Sequence, residues 1–222
     1  MYMTDRGLLA LVRHEGLVPG PYLDVKNVWT FGIGHTAAAG PPDPARMLRG
    51  MPADLDAGIR EAFLLFRADI VAYEAEVLRA VKVPLEPHEF DALVSFHYNT
   101  GGIAKALLTR HLNAGNRAAA AQGFMGWLRP VAIRTRREAE RDLFRDGRYP
   151  NGTIPVWAVD RNGRVDFSRP IQRLTESQAL ALLRPMSLPA PPTVPLPVPT
   201  QPSAAPSWWQ RLMEFFTGKA TP

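Results

Sequence analysis

The stretch 54–81 limits the fold of this chain more than any other. It holds no proline, and Ile59, Phe63, Phe66, Ile70, Tyr73, Val77 and Val81 recur every three or four residues. That period belongs to a helix with one apolar side and predicts a single long helix across the stretch. Such a spine joins two lobes. Pro84 ends it, Pro87 suits the first turn of the next helix, and Phe90, Leu93, Val94 and Tyr98 give that second helix an apolar side. Shorter helices are predicted at 103–113, 116–127 and 134–145.

Ahead of the spine the pattern changes twice. Thr4 can cap a helix running through Leu8, Leu9, Leu11 and Val12, and Gly16 is a natural stop just past its end, so Glu15 falls in the last turn. From Tyr22 to His35 the helical period vanishes. "DVKN" is a turn signal and "VWTFGIG" a β-rich run with bend-permitting glycines, which predicts a small hairpin or three-stranded sheet. Residues 36–52, with Gly40, Pro41, Pro42 and Pro44, read as a loop. The fold class expected from these elements is α+β and mostly α: a small N-terminal sheet, a long helix between lobes and a helical C-terminal lobe.

Composition narrows the chemistry. With no cysteine among 222 residues, a disulfide framework, a thiol nucleophile and a cysteine-based zinc or iron–sulfur site are excluded. There is no phosphate loop, no GxSxG and no HExxH, and the five histidines show no ligand spacing. The net charge of +5 favours an anionic partner, whether nucleic acid, membrane or an acidic polymer such as peptidoglycan. No apolar run reaches the roughly 18 residues of a membrane span, and the start lacks the pattern of a signal peptide. Synthesis in the cytoplasm without Sec-type processing is the expectation.

The candidate chemistry lies in "HEGLVPGPYLDVKNVWTFGIGHT" at 14–36. Glu15 at a helix end and Asp24 in the following turn can face each other across a cleft as a glycosidase acid and its partner. Taken alone, a Glu–Asp pair at that spacing is ordinary surface charge. Its context is more telling: the negative end of a helix and apolar cover both disfavour ionisation of Glu15, whereas a polar turn keeps Asp24 ionised. Thr30 is by default a strand residue, and its hydroxyl could hold a water against Asp24 or support that carboxylate. His35 by itself reads as a structural histidine.

The spacing of Glu15, Asp24 and Thr30, followed by "FGIGHT", resembles the phage-type lysozymes of glycoside hydrolase family 24 and their Glu–Asp–Thr triad. "FDALVSFHYNTGG" at 90–102 is similar to that family's core helix and cleft-lining turn, and "TRREAERDLFRDG" at 135–147 to its Arg- and Glu-rich helix. The resemblance covers about residues 4–149. It implies Glu15 as general acid, Asp24 as base or nucleophile and Thr30 as the completing hydroxyl. It also implies a structural pair between His35 and Asp69. Asn99 would touch substrate, while Arg136 or Arg137 would lie at the cleft end and pair with Glu15 or an acidic sugar substituent. Helix-surface salt bridges are an equal alternative for the two arginines. The implied substrate is the β-1,4 bond between N-acetylmuramic acid and N-acetylglucosamine in bacterial peptidoglycan, with no metal or organic cofactor needed. An endolysin that acts in the periplasm after holin-type release is the leading expectation. A particle-associated wall-binding protein and lytic transglycosylase chemistry on the same bond are the alternatives.

Domain organisation is expected to be a catalytic domain at 1–150, an appended hairpin and short helix at 151–184, a proline-dense linker at 185–206 and an aromatic tail at 207–222. The hairpin is signalled by "PVWAVDRNGRVDFSRP", which alternates around an Asn-Gly. Trp208, Trp209, Phe215 and Phe216 in the tail suit a membrane interface or a protein partner. No specific nucleic acid is expected to bind, and the protein is expected to be a monomer.

Overall fold

The computed structural model describes residues 1–184, and the expected linker and aromatic tail lie outside the described residues. The first helix, α1 (Asp5–Glu15), opens at Thr4, whose side-chain oxygen accepts the Gly7 amide at 3.0 Å. It closes at Gly16, where φ is +76°, a conformation that favours glycine. The chain then enters a three-stranded antiparallel sheet of β1 (Val18–Leu23), β2 (Trp29–Gly32) and β3 (His35–Thr36), in that order.

The sheet is irregular for a reason written in the sequence. The middle of β1 is Pro19-Gly20-Pro21, and a proline has no amide to give a ladder. Pairing with β2 holds at Leu23↔Trp29 and Tyr22↔Thr30, then skips to Val18↔Gly32 with a shift of register between. The turn from β2 to β3 rests on the long helix: a side chain at Gly32 would put its Cβ 2.7 Å from that of Ala62.

That long helix, α2 (Leu55–Ala80), starts at Asp54, whose carboxylate accepts the Ala57 amide, and ends at Val81. Ile59, Phe63, Phe66, Ile70 and Val77 are buried along it, as the period requires. Helix α3 (Pro87–Thr100) has Pro87 in its first turn and a reciprocal capping box between Glu86 and Glu89. It leaves through Gly101 in the left-handed region. Phe90, Leu93, Val94 and Phe96 on α3 are wholly inaccessible to solvent, which makes this helix the centre of the helical lobe. Truncating one such phenylalanine to alanine costs about 3–5 kcal/mol.

Two of the expected helices are shorter than their patterns suggested. In place of 103–113 there is a 3-10 turn at Ile103–Lys105, an extended Ala106 and then α4 (Leu107–Asn113). The Thr109 hydroxyl donates to the Ile103 carbonyl at 2.6 Å, satisfying a group that a continuous helix would have paired. In place of 116–127, α5 (Arg117–Gly123) passes into a 3-10 turn at Phe124–Gly126. Gly123 lies against the Leu108 backbone, with its Cβ position 3.0 Å from the Leu108 Cα. Helix α6 (Arg134–Asp146) follows and ends at the left-handed Gly147.

After α6 come four short strands: β4 (Ile154–Val156), β5 (Ala158–Val159), β6 (Val165–Asp166) and β7 (Gln172–Leu174). They pair as β4 with β7 and β5 with β6, the latter around the expected Asn162-Gly163 turn. Helix α7 (Glu176–Leu183) closes the described chain behind a Thr175–Gln178 capping box. This segment shares the main core: Ile154, Val156, Leu174, Ala179 and Leu183 are buried in one cluster with Leu17, Phe31 and Phe63. Residues 151–184 therefore sit within the same compact unit as the residues before them.

Candidate active site

Glu15 is the last residue of α1, and its side chain is 19% exposed. Its Oε1 accepts from Arg136 Nη1 at 2.7 Å, a bond spanning most of the described chain. Oε2 takes no hydrogen bond from the described residues. Arg136 can reach because α6 lies against α3, and its other two bonds are to α3 and its own helix. Nε donates to Glu140 Oε1 at 2.9 Å and Nη2 to the Ser95 carbonyl at 3.2 Å.

Glu140 is the hub beneath the site. It is 1% exposed and accepts from Arg136, from the Ser95 hydroxyl at 2.8 Å and from Arg137 Nη1. Arg137 also donates to Asn99 Oδ1 and, at 3.3 Å, to the Trp127 carbonyl, and its guanidinium stands 5.2 Å from the Phe96 ring centre. Arg136, Arg137, Glu140 and Glu15 thus form a connected set of two cations and two anions. A balanced, hydrogen-bonded set is the arrangement in which buried charge is tolerated.

Asp24 stands at the other side of the sheet turn. Its Oδ1 accepts the amides of Lys26 and Val28, both at 2.8 Å, while its own amide donates to the Val28 carbonyl at 3.0 Å. Asn27, at φ +59°, lets the turn close. The turn therefore fixes Oδ1 and leaves Oδ2 to face outward. Thr30 lies opposite Tyr22 in the β1–β2 pairing, is 3% exposed, and donates its hydroxyl to the Val28 carbonyl at 3.1 Å. It buttresses the turn that carries Asp24 and makes no direct bond to the carboxylate.

Tyr22 lies within the field of both Glu15 and Asp24. Burial pushes its hydroxyl pKa well up, and the charges of Glu15 and Asp24 push it in the same direction. One side chain thus feels both anions. Tyr73 and Tyr98 are raised as well, mainly by burial, with Glu15 among the charges acting on them. Tyr98 donates its hydroxyl to the Ile33 carbonyl at 2.6 Å, tying α3 to the β2–β3 turn. Beside it a pocket of about 380 Å³ is lined by Gly34, Thr36, Asp69, Tyr73, His97 and Gly101, among others. A larger cavity of about 790 Å³, between β1 and residues 47–54, includes neither Glu15 nor Asp24.

His35 and Asp69 are 2.8 Å apart between Nδ1 and Oδ2, with only 2% and 7% of their side chains exposed. His35 Nε2 lies 2.9 Å from the Pro42 carbonyl. A carbonyl only accepts, so Nε2 carries a proton and Nδ1 faces the carboxylate. Burial raises the Asp69 pKa, and the contact with His35 opposes that rise. The pair pins β3 to α2.

Of the residues singled out in the sequence, Glu15 and Arg136 meet directly. Asn99 is exposed and holds Arg137 through its oxygen, leaving its amide nitrogen toward solvent. For Arg137 the ion-pair alternative is the one its contacts match. At 1% exposure, with Glu140, Asn99 and Trp127 as partners, its guanidinium has no face to offer a sugar. Sequence reasoning missed Tyr22, Ser95, Glu140 and His14. His14, next to Glu15, has its pKa lowered to about 4, chiefly by burial and then by Arg136. The signal for Ser95 was there: a polar residue on the buried side of an apolar helix, four residues before Asn99.

The fold is that of a lysozyme-like glycosidase, with one carboxyl group at a helix end and a second in a sheet turn. Residues 12–140 match the phage lysozyme family, and the chain belongs to it. The endolysin of Salmonella phage P22 is 31% identical over 150 residues, covering 65% of this chain and 98% of that protein. The endolysin of a phage of the Acyrthosiphon pisum secondary endosymbiont is 31% identical over 156 residues, with the same coverage. Among solved structures, the endolysin of Escherichia coli phage FAHEc1 is similar at 30% identity and a TM-score of 0.58, over 68% of this chain and 98% of that one.

Proposed function

We propose that this protein is an endolysin-type muramidase that hydrolyses the β-1,4 bond between N-acetylmuramic acid and N-acetylglucosamine in bacterial peptidoglycan. The observation that carries the reading is the pairing of two differently held carboxylates. Glu15 has one oxygen bound by Arg136 and one free, and Asp24 has one oxygen bound by backbone amides and one free. In the reacting complex Glu15 is in its protonated form, and its free oxygen passes that proton to the leaving glycosidic oxygen, which returns Glu15 to the anion that Arg136 holds. The free oxygen of Asp24, on the opposite face of the sugar, acts as base toward water or as nucleophile. Thr30 holds the Asp24 turn and keeps lone pairs available for a water at its hydroxyl. Asn99 offers its amide nitrogen to the glycan, and Arg136 keeps Glu15 aimed. The positive charge of the chain suits a polymer bearing lactyl and peptide carboxylates.

The place of action is the cell wall. Arrival there by holin-type release, a monomeric state and an interfacial role for the 207–222 tail belong to this proposal. Among the described residues no helix is long and apolar enough to cross a membrane.

The test is mass spectrometry of muropeptides from purified sacculi. Reducing-end N-acetylmuramic acid is the expected product, and anhydro-muramic ends would instead establish lytic transglycosylase chemistry. Glu15→Gln protein should release nothing above background. Clearing of sacculi by that variant at the wild-type rate would end the assignment of Glu15 as the acid.

A further inference from the structure

Strand β1, which leads into Asp24, is deficient in hydrogen-bond donors. Pro19 and Pro21 give no amide, and the β1–β2 ladder breaks between Val18 and Tyr22. The segment that follows α6 occupies the other side of this strand. At one end the Trp157 amide donates to the Leu17 carbonyl at 2.9 Å, and at the other the Leu23 amide donates to the Gly163 carbonyl at 2.8 Å. Leu23 is the residue immediately before Asp24.

Between these two bonds the fit is close. A Cβ at Gly20 would lie 2.9 Å from Val159 Cγ1 and 2.3 Å from the Gly50 carbonyl oxygen, so only glycine lets the hairpin approach the strand. The Val159 amide points at Met51 Sδ, 3.3 Å away. Gly163, at φ +79°, sits under the Trp29 ring, with its Cβ position 2.6 Å from a ring carbon. The Arg49 guanidinium also stands over that ring, 3.4 Å from its centre.

The hairpin tip also repeats the turn it touches. Asp24 accepts the amides two and four residues on, donates to the carbonyl four on, and its carbonyl takes the amide three on. Asp160 does the same with Asn162, Arg164 and Gly163. Both turns place a positive φ at the fourth residue, Asn27 in one and Gly163 in the other. Two turns of one design are joined by the Leu23–Gly163 bond, and the second lies beyond residue 140, where the family match ends.

We propose that the 157–166 hairpin is a positioning element for Asp24, holding the donor-poor strand that presents it through the Gly163 carbonyl. The proposal rests on the reading of Asp24 as base or nucleophile. It makes Gly163 and Asp160 positioning residues, which reach the reaction only through the Asp24 turn. Misplacement of a reacting group by about 1 Å can cost up to a hundredfold in rate, so the hairpin need only slacken to be felt.

The experiment measures kcat and KM on soluble peptidoglycan glycan strands, well below each melting midpoint, for four variants of the full chain. Gly163→Ala forces the tip off Trp29, and Asp160→Ala removes the carboxylate that closes the exposed tip. Leu174→Ala destabilises the same segment through the separate β4–β7 pair and leaves the Leu23–Gly163 bond intact. Asp24→Asn tests the underlying reading. The expected result is a fall in kcat of about tenfold or more for Gly163→Ala and a smaller fall for Asp160→Ala. KM should stay within about twofold for both, and Leu174→Ala should keep wild-type kcat despite a lower melting point. If Gly163→Ala does not fold, Asp160→Ala decides. Wild-type kcat in both tip variants, with Asp24→Asn inactive, overturns the positioning role alone. An active Asp24→Asn overturns the catalytic reading itself.

Discussion

Glu140→Gln is the substitution that tests the buried charge set most directly. It keeps the shape of the side chain and removes one negative charge at a position 1% exposed. Arg136, Arg137, Glu140 and Glu15 balance as two cations and two anions, so the variant leaves one positive charge in excess, facing a neutral amide. The amide NH2 of the new Gln also points a donor at guanidinium donors that previously met only acceptors. Breaking a buried ion pair from one side costs about 3–5 kcal/mol. For a protein of this size each kcal/mol moves the melting midpoint by roughly 2–4 °C, so the expected drop is about 6–20 °C, read by calorimetry or circular dichroism at neutral pH. Adding Arg137→Met removes the excess charge, and the double variant should recover about half of the loss. A midpoint for Glu140→Gln within about 2 °C of wild type would refute the claim that these four groups form one balanced set.

Two further outcomes follow from burial. His14 has a folded pKa of about 4 against an unfolded value near 6.5, so the unfolded chain binds the extra proton first. Stability from this group is present in full above pH 6.5 and is lost as pH falls toward 4, by roughly 3 kcal/mol. His14→Gln should flatten the melting-point profile in that window, and an unchanged slope would contradict the burial argument. Gly7→Ala would bring a methyl carbon to 2.2 Å from the Asp91 carboxyl carbon, against which α1 is packed. The gain of about 1 kcal/mol in helix propensity is outweighed by overpacking, about 1–3 kcal/mol, and by loss of the Thr4–Asp91 hydrogen bonds. A lower denaturation midpoint is expected, and a raised one would sink the account.

Elements fixed by local rules were legible in the sequence. Thr4, Gly16, Asp54 and Pro87 mark helix ends, and the period of α2 runs the length of that helix. The break at Ala106 was not legible, because it depends on a hydroxyl reaching a carbonyl in three dimensions. At the site, Glu15, Asp24 and Thr30 stood out by spacing and by their elements. The roles of Arg136 and Arg137 could not be separated, since both lie on α6 in a sequence that reads as ordinary helix-surface ion pairs. Both are buried, and only their partners in three dimensions distinguish Arg136, which reaches Glu15, from Arg137, which is held by Asn99 and Glu140. The docking of the late hairpin was equally invisible. Strand β1 begins at Val18, ahead of the β-rich stretch expected from Tyr22 onward, so the edge that the hairpin borders was not anticipated.

The bond between Arg136 and Glu15 joins residues 121 positions apart. Helix α1 precedes α6 in the chain, so its last residue acquires its partner only when α6 has emerged, and β1 acquires its outer edge later still. A growing chain therefore carries Glu15 long before it carries the residues that hold it. Contacts this distant in sequence are slow to form, so the charge set that holds Glu15 is completed only after α6 has been made.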